Sequence, residues 1–177
     1  SETRGLNGNL DKTVIMTNAK EGGDIKLGSN TLKKVDSYKY LGRIMSFEDR
    51  MEKEIKARRE AAWKSYWALR NIYKNKDIEL ETKIKILESC TIPVLTYGSQ
   101  TWSITKIQLN KLRSTQRAME RSILNIKRKD KVSNNAIRAK TKSKDVGYIV
   151  GKAKFRYAGN MIRNKEDRWN KRLYEWT

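Results

Sequence analysis

The 177-residue chain has no histidine, one cysteine (Cys90) and one proline (Pro93). Without histidine it holds no Ser-His-Asp or Cys-His pair and no His-ligated metal. One thiol excludes an internal disulfide framework and a cysteine-rich zinc site. No apolar run reaches the ~18 residues that a membrane span needs. The opening Ser1-Glu2-Thr3-Arg4 carries no secretory leader pattern. Carboxylates are scarce beside cations, with 20 Asp+Glu against 40 Lys+Arg, a net charge of +20 and a pI near 10.1. The expectation is a reduced, intracellular protein whose partner is a polyanion.

The excess is uneven. Residues 1–47 carry net +3, residues 48–104 net +2 and residues 105–177 net +15. The densest stretch is Lys127, Arg128, Lys129, Lys131, Arg138, Lys140, Lys142 and Lys144, opposed only by Asp130 until Asp145. Such a field attracts phosphates and releases their counterions on contact. No basic stretch carries a matching broad face of Phe and Leu, so no membrane partner is expected.

Residues 1–47 read as short strands. Thr13–Thr17, Ile25–Leu27, Thr31–Val35 and Tyr38–Ile44 are separated by turn signals at Glu21–Asp24, Gly28–Asn30 and Asp36-Ser37. They predict a small antiparallel sheet. From Phe47 the period becomes helical. Met51, Ile55, Ala62, Tyr66, Leu69 and Tyr73 predict one long helix over 48–76. Asp77 is the expected cap of a second helix, which Pro93 should kink or stop near Ile92. Thr105 is the expected cap of a third, whose Leu109, Leu112, Gln116, Met119, Ile123 and Ile126 form one stripe. Lys106, Lys111, Arg113, Arg117 and Arg121 are assigned to its opposite faces, free for phosphate. A short helix is expected near Asn134–Ala139 and a further helix over Val146–Ile162, the latter carrying Gly147, Gly151 and Gly159 as signs of close approach or a break. Trp63, Trp67 and Trp102 are expected in the core, Trp169 and Trp176 in the basic tail, and Cys90 as a small buried residue.

Five strings in order carry a resemblance. Gly5-Leu6-Asn7-Gly8-Asn9-Leu10-Asp11-Lys12-Thr13-Val14-Ile15-Met16 is similar to palm motif D of the reverse transcriptases of non-LTR (LINE-type) retrotransposons. Tyr38-Lys39-Tyr40-Leu41-Gly42 resembles their motif E, the primer grip. Ile92-Pro93-Val94-Leu95-Thr96-Tyr97-Gly98-Ser99-Gln100-Thr101-Trp102 is similar to a P-x-L-x-Y-G-x-E-x-W string on the thumb side, and Arg121–Ile126 and Ala158–Arg163 resemble later segments. Gly8 stands where the family usually has an apolar residue, and Gln100 and Asn160 where it has Glu and His, so Asn160 is read as neither catalytic nor metal-binding.

The resemblance implies a C-terminal palm and thumb fragment of an endonuclease-reverse transcriptase. The family's paired Y-x-D-D aspartates precede motif D and are absent here, and two-metal phosphoryl transfer needs such carboxylates. No polymerase activity and no cofactor are therefore expected of this chain, with Mg2+ expected in the full-length polymerase. Lys12 would be an auxiliary to the leaving pyrophosphate there, and Tyr38, Lys39, Tyr40 and Gly42 would hold the primer end. The alternative for Tyr38, Tyr40 and Leu41 is to anchor the hairpin on the first long helix.

The resulting expectation is an α+β, mainly α protein. Residues 1–47 form a palm remnant with the primer-grip hairpin, 48–126 a thumb-like helical bundle and 127–177 a basic helical extension. Arg113, Arg117, Arg121, Lys127, Arg128, Lys129, Lys131, Arg138, Lys140 and Lys142 are the phosphate contacts, and no metal site is expected. The partners are RNA, an RNA–DNA hybrid or a DNA duplex, together with the parent's upstream palm and fingers, in the nucleus. The alternatives are an autonomous RNA-binding module or a helical dimerisation domain.

Overall fold

The computed structural model describes residues 9–18, 23–163 and 172. It is α+β and mainly α, in two compact units, Ser1–Glu54 and Ile55–Thr177. Gly5–Gly8, Trp169 and Trp176, singled out in the sequence, lie outside the described residues.

The first unit opens with a 3₁₀ turn at Leu10–Lys12, where the Lys12 N–H donates to Asn9 Oδ1 at 3.2 Å. Its strands are β1 (Val14–Ile15), β2 (Lys26–Leu27), β3 (Asn30–Thr31), β4 (Lys33–Lys34), β5 (Ser37–Tyr40) and β6 (Arg43–Ser46). They form three two-stranded pieces rather than one antiparallel sheet. β2–β3 and β5–β6 are antiparallel, but β1 pairs with β4 in parallel, Val14 opposite Lys33 and Ile15 opposite Lys34. A parallel return needs a long crossover, and the β2–β3 hairpin with its flanks supplies it.

The segment Tyr38–Ile44, expected as one strand, folds back on itself at Leu41-Gly42. Both residues have positive φ (46° and 79°), the signature of a tight I′-type connection. Tyr38 faces Met45, and Tyr40 faces Arg43. Tyr38 is 40%, Tyr40 60% and Leu41 75% exposed. The buried Glu54 carboxylate accepts the Ile44 N–H at 2.7 Å, and Lys53 Nζ donates to Ser46 Oγ at 2.8 Å.

The helices are α1 (Arg50–Ala68), α2 (Arg70–Lys74), α3 (Leu80–Ile86), α4 (Ile92–Leu95), α5 (Lys106–Ile123), α6 (Asn134–Thr141) and α7 (Val146–Arg163). The expected single helix over 48–76 breaks at Leu69, whose ψ of 13° leaves the helical region. Its N–H bonds three residues back to Tyr66, a 3₁₀ step that restarts the spiral at Arg70. Across the break Tyr66 and Tyr73 stack at 4.7 Å, and Tyr73 Oη lies 3.2 Å from Thr91 Oγ1.

Asp77 does not cap the next helix. Glu79 occupies that position, without a side-chain bond. Pro93 does not stop the helix either. A π turn at Leu87–Thr91 widens the spiral before the proline, which has no N–H to bond backwards, and α4 continues. The stop comes at Gly98, where φ is 74°. Thr105 does cap α5, exchanging bonds with Gln108 in a full capping box.

The core of this unit gathers Ile55, Ala62 and Tyr66 of α1, Ile84, Leu87, Ile92 and Leu95 of the third helical run, Trp102, Leu112, Met119 and Ile123, with Ile137, Val146 and Val150. Three residues expected in the core are not fully in it: Trp63 is partly buried, Trp67 is half-exposed and stacked on Trp63 at 5.9 Å, and Cys90 is exposed. α7 runs unbroken through its three glycines. Gly147 shows the closest approach, since a Cβ there would meet Arg113 Nη2 at 2.7 Å, and one on Gly159 would meet Arg163 Nη1 at 3.0 Å. Among the described residues no helix is long and apolar enough to cross a membrane.

Candidate nucleic-acid interface

α5 carries the cations in two directions. Its inner face holds the stripe Leu112, Gln116, Met119 and Ile123, all buried. Gln116 is not an apolar intruder. Its Nε2 donates to Ser143 Oγ and to the Lys144 carbonyl, and its Oε1 accepts the Val146 N–H, so it ties α5 to the turn between α6 and α7.

Arg117 lies on this inner side. The sequence pattern places it on the open face, but it is 5% exposed and ion-paired to Glu120 and, at 3.5 Å, to Asp145. A buried cation requires such partners. Burial pushes the Glu120 carboxyl up against the pull of Arg117, while Ser143 and Thr141 also bond it. Burial would raise Asp145 too. There the Arg113 hydrogen bond, the Gly147 N–H and the charges of Arg113 and Arg138 prevail and hold it below the ordinary carboxylate range. Arg113 Nε reaches Asp145 at 3.1 Å, and Arg138 lies 3.8 Å from it. Three of the expected phosphate contacts thus converge on one carboxylate.

The outward cations meet elsewhere. A groove of about 690 Å³ runs past the end of α5, the loop after it and the start of α6. Arg121, Lys127 and Arg128 line it, with the edge of Arg117 and with Lys74 from the end of α2, and its described lining holds no carboxylate. Arg121 is aimed by donating Nη2 to the Val132 carbonyl at 3.1 Å. Lys74 Nζ donates to the Ser122 carbonyl at 2.6 Å, at the electronegative end of α5. Asp130 turns back to accept the Lys127 N–H at 2.7 Å, which shapes the 3₁₀ turn Arg128–Asp130. Asn134 opens α6 on the groove wall, behind the Ser133 cap. Lys129 and Lys131 are exposed on the same turn, outside the groove lining.

Lys140 and Lys142 lie in a different cleft, of about 530 Å³, which includes Glu81 and Glu88. In the first unit, Lys12, Tyr38 and Tyr40 come together around a cleft of about 350 Å³ with Val14, Met16 and Met45. Lys39 is exposed, and Gly42 forms the turn. No cluster of three or more His, Cys, Asp or Glu able to hold a metal occurs among the described residues.

Lys74, Ser114, Asn125 and Asn134 are groove residues that the sequence did not single out. Asn125 carries a signal, as asparagine is among the residues that tolerate its φ of 56°. Lys74 carries none, being 47 residues before Arg121.

A Caenorhabditis elegans protein named as transposon-derived is 29% identical over 181 residues, covering 97% of this chain. That similarity supports a transposon origin. The chain spans 64% of that relative's length. No family model matches, and no solved structure matches.

Proposed function

We propose that the chain is the nucleic-acid-holding thumb region of a non-LTR retrotransposon reverse transcriptase. The groove walled by Lys74, Arg121, Lys127 and Arg128, with no carboxylate in its described lining, carries this reading. Four cations drawn from three segments of the chain suit the repeating charge of a sugar–phosphate strand. The resemblance of Gly5–Met16, Tyr38–Gly42 and Ile92–Trp102 to reverse-transcriptase segments, and the transposon-derived relative, support the same assignment.

The function follows as gripping a template–primer duplex or structured RNA by its backbone. In a full-length nuclear polymerase, aspartates of the upstream palm would hold the Mg2+, and this chain alone would not incorporate nucleotides. Lys12, Tyr38 and Tyr40, gathered at one cleft, would contact the primer end there.

Fluorescence anisotropy on a hairpin RNA tests the grip. Log affinity should fall linearly with log salt, with a slope of roughly −0.9 per phosphate contact on a duplex of the B-DNA type. A flat salt profile, or no binding at low salt, refutes it. Matched RNA, DNA and hybrid duplexes in competition then establish the preferred helix.

A further inference from the structure

The inner side of α7 is fixed by Val146 and Val150, both buried. Its outer side carries two exposed rings. Tyr148 is 60% and Phe155 82% exposed, although burial of large aromatic rings is among the main gains of folding. The two lie seven residues apart, hence on one face and about 10 Å apart along the axis. Between them is Gly151, followed by Lys152, and Arg156 flanks Phe155. These five residues line a shallow cleft of about 440 Å³. A Cβ on Gly151 would meet nothing within 4 Å, so packing does not require the glycine, and it weakens the helix relative to alanine. The space between the rings is open. α7 contains four Lys and Arg and no Asp or Glu.

We infer that this face is a second nucleic-acid site, a stacking platform for unpaired nucleobases on Tyr148 and Phe155, with Lys152 and Arg156 contacting the adjoining phosphates. Flat exposed rings interleaved with cations match single-stranded nucleic acid, which offers a π face and a negative charge at each step. A paired strand advances only about 3.4 Å per nucleotide with its bases stacked on one another. Rings about 10 Å apart therefore suit an extended strand. The inference rests on the nucleic-acid reading above and adds a place for a single-stranded tail beside the duplex grip.

The test uses the full chain with a labelled RNA hairpin, blunt or carrying a single-stranded tail. The tail should tighten binding to the wild type. Tyr148→Ala and Phe155→Ala should each remove about 5- to 150-fold of that gain, the range for one stacked base. Affinity for the blunt hairpin and its salt slope should stay unchanged. Phe155→Trp should keep the gain, and Phe155→Leu, apolar without a flat face, should lose it. A blunt hairpin bound with no gain from the tail overturns this inference and leaves the grip standing. Absence of binding to any RNA overturns both. A leucine variant as good as wild type, or a wild-type dimer in light scattering that Tyr148→Ala and Phe155→Ala dissociate, assigns the face to protein docking and overturns the platform.

Discussion

Arg117 and Asp145 stand 3.5 Å apart in the interior of the second unit, joining α5 to the start of α7. The same carboxylate takes the Arg113 Nε–H and the Gly147 N–H. Asp145→Asn removes the charge while keeping the shape, leaving Arg117 with Glu120 alone and Arg113 and Arg138 without their anion. Breaking a buried pair of this kind costs about 3–5 kcal/mol, and the lower end applies because Arg113 and Arg138 are half in solvent. Urea unfolding should show the loss at neutral pH. Because the folded state holds Asp145 below the ordinary carboxylate range, its contribution is full above that range and fades as pH falls through it. The gap between wild type and variant should therefore close below about pH 4. A gap that widens in acid contradicts the assignment.

The buried Arg117 of α5 and the groove cations that follow the helix should separate in salt titrations. Lys127→Ala with Arg128→Ala removes two groove cations and should lower the salt slope by roughly two, weakening all sequences alike. Arg117→Met should leave the slope unchanged under folding conditions while lowering the unfolding midpoint, since its guanidinium is committed to Glu120 and Asp145. The reverse pattern would exchange their roles.

The helical body was legible wherever local signals and packing agreed. The Thr105 cap and the α5 stripe were both readable because a 3.6-residue period reports burial directly. That period does not report which polar residue within it is buried with a partner. Arg117 looked free because its anions, Glu120 and Asp145, come from one turn on and from a segment 28 residues away. The groove was half visible, as Lys127 and Arg128 are adjacent in sequence, whereas Lys74 joins them only through tertiary packing. The parallel pairing of β1 with β4 was hidden for the same reason, because two-residue strands carry no period to read.

The Ile92–Trp102 string that carries much of the family resemblance is a helix stop. Gly98 takes φ 74°, and the turn after it buries Ser99 and Trp102. Gly98→Ala forces a Cβ into the left-handed region and should cost about 1–2 kcal/mol. Thr105→Ala, which removes half of the capping box beyond it, should cost about 1 kcal/mol. Thermal unfolding of both variants checks this. A Gly98→Ala variant as stable as wild type would show that the turn can relax and that the glycine is not kept for its backbone.

The β5–β6 turn predicts a change of the opposite sign. Leu41 sits at φ 46° with three quarters of its surface exposed, so it accepts a left-handed backbone while burying little in return. Asn-Gly is the preferred pair at such a turn. Leu41→Asn should therefore stabilise the hairpin by up to about 1 kcal/mol, slowing amide exchange in β5 and β6 by about fivefold. Gly42→Ala, at φ 79°, should speed it by a similar factor. If Leu41→Asn leaves exchange unchanged but weakens binding to a recessed primer end, the exposed leucine is retained for contact with nucleic acid rather than tolerated by the fold.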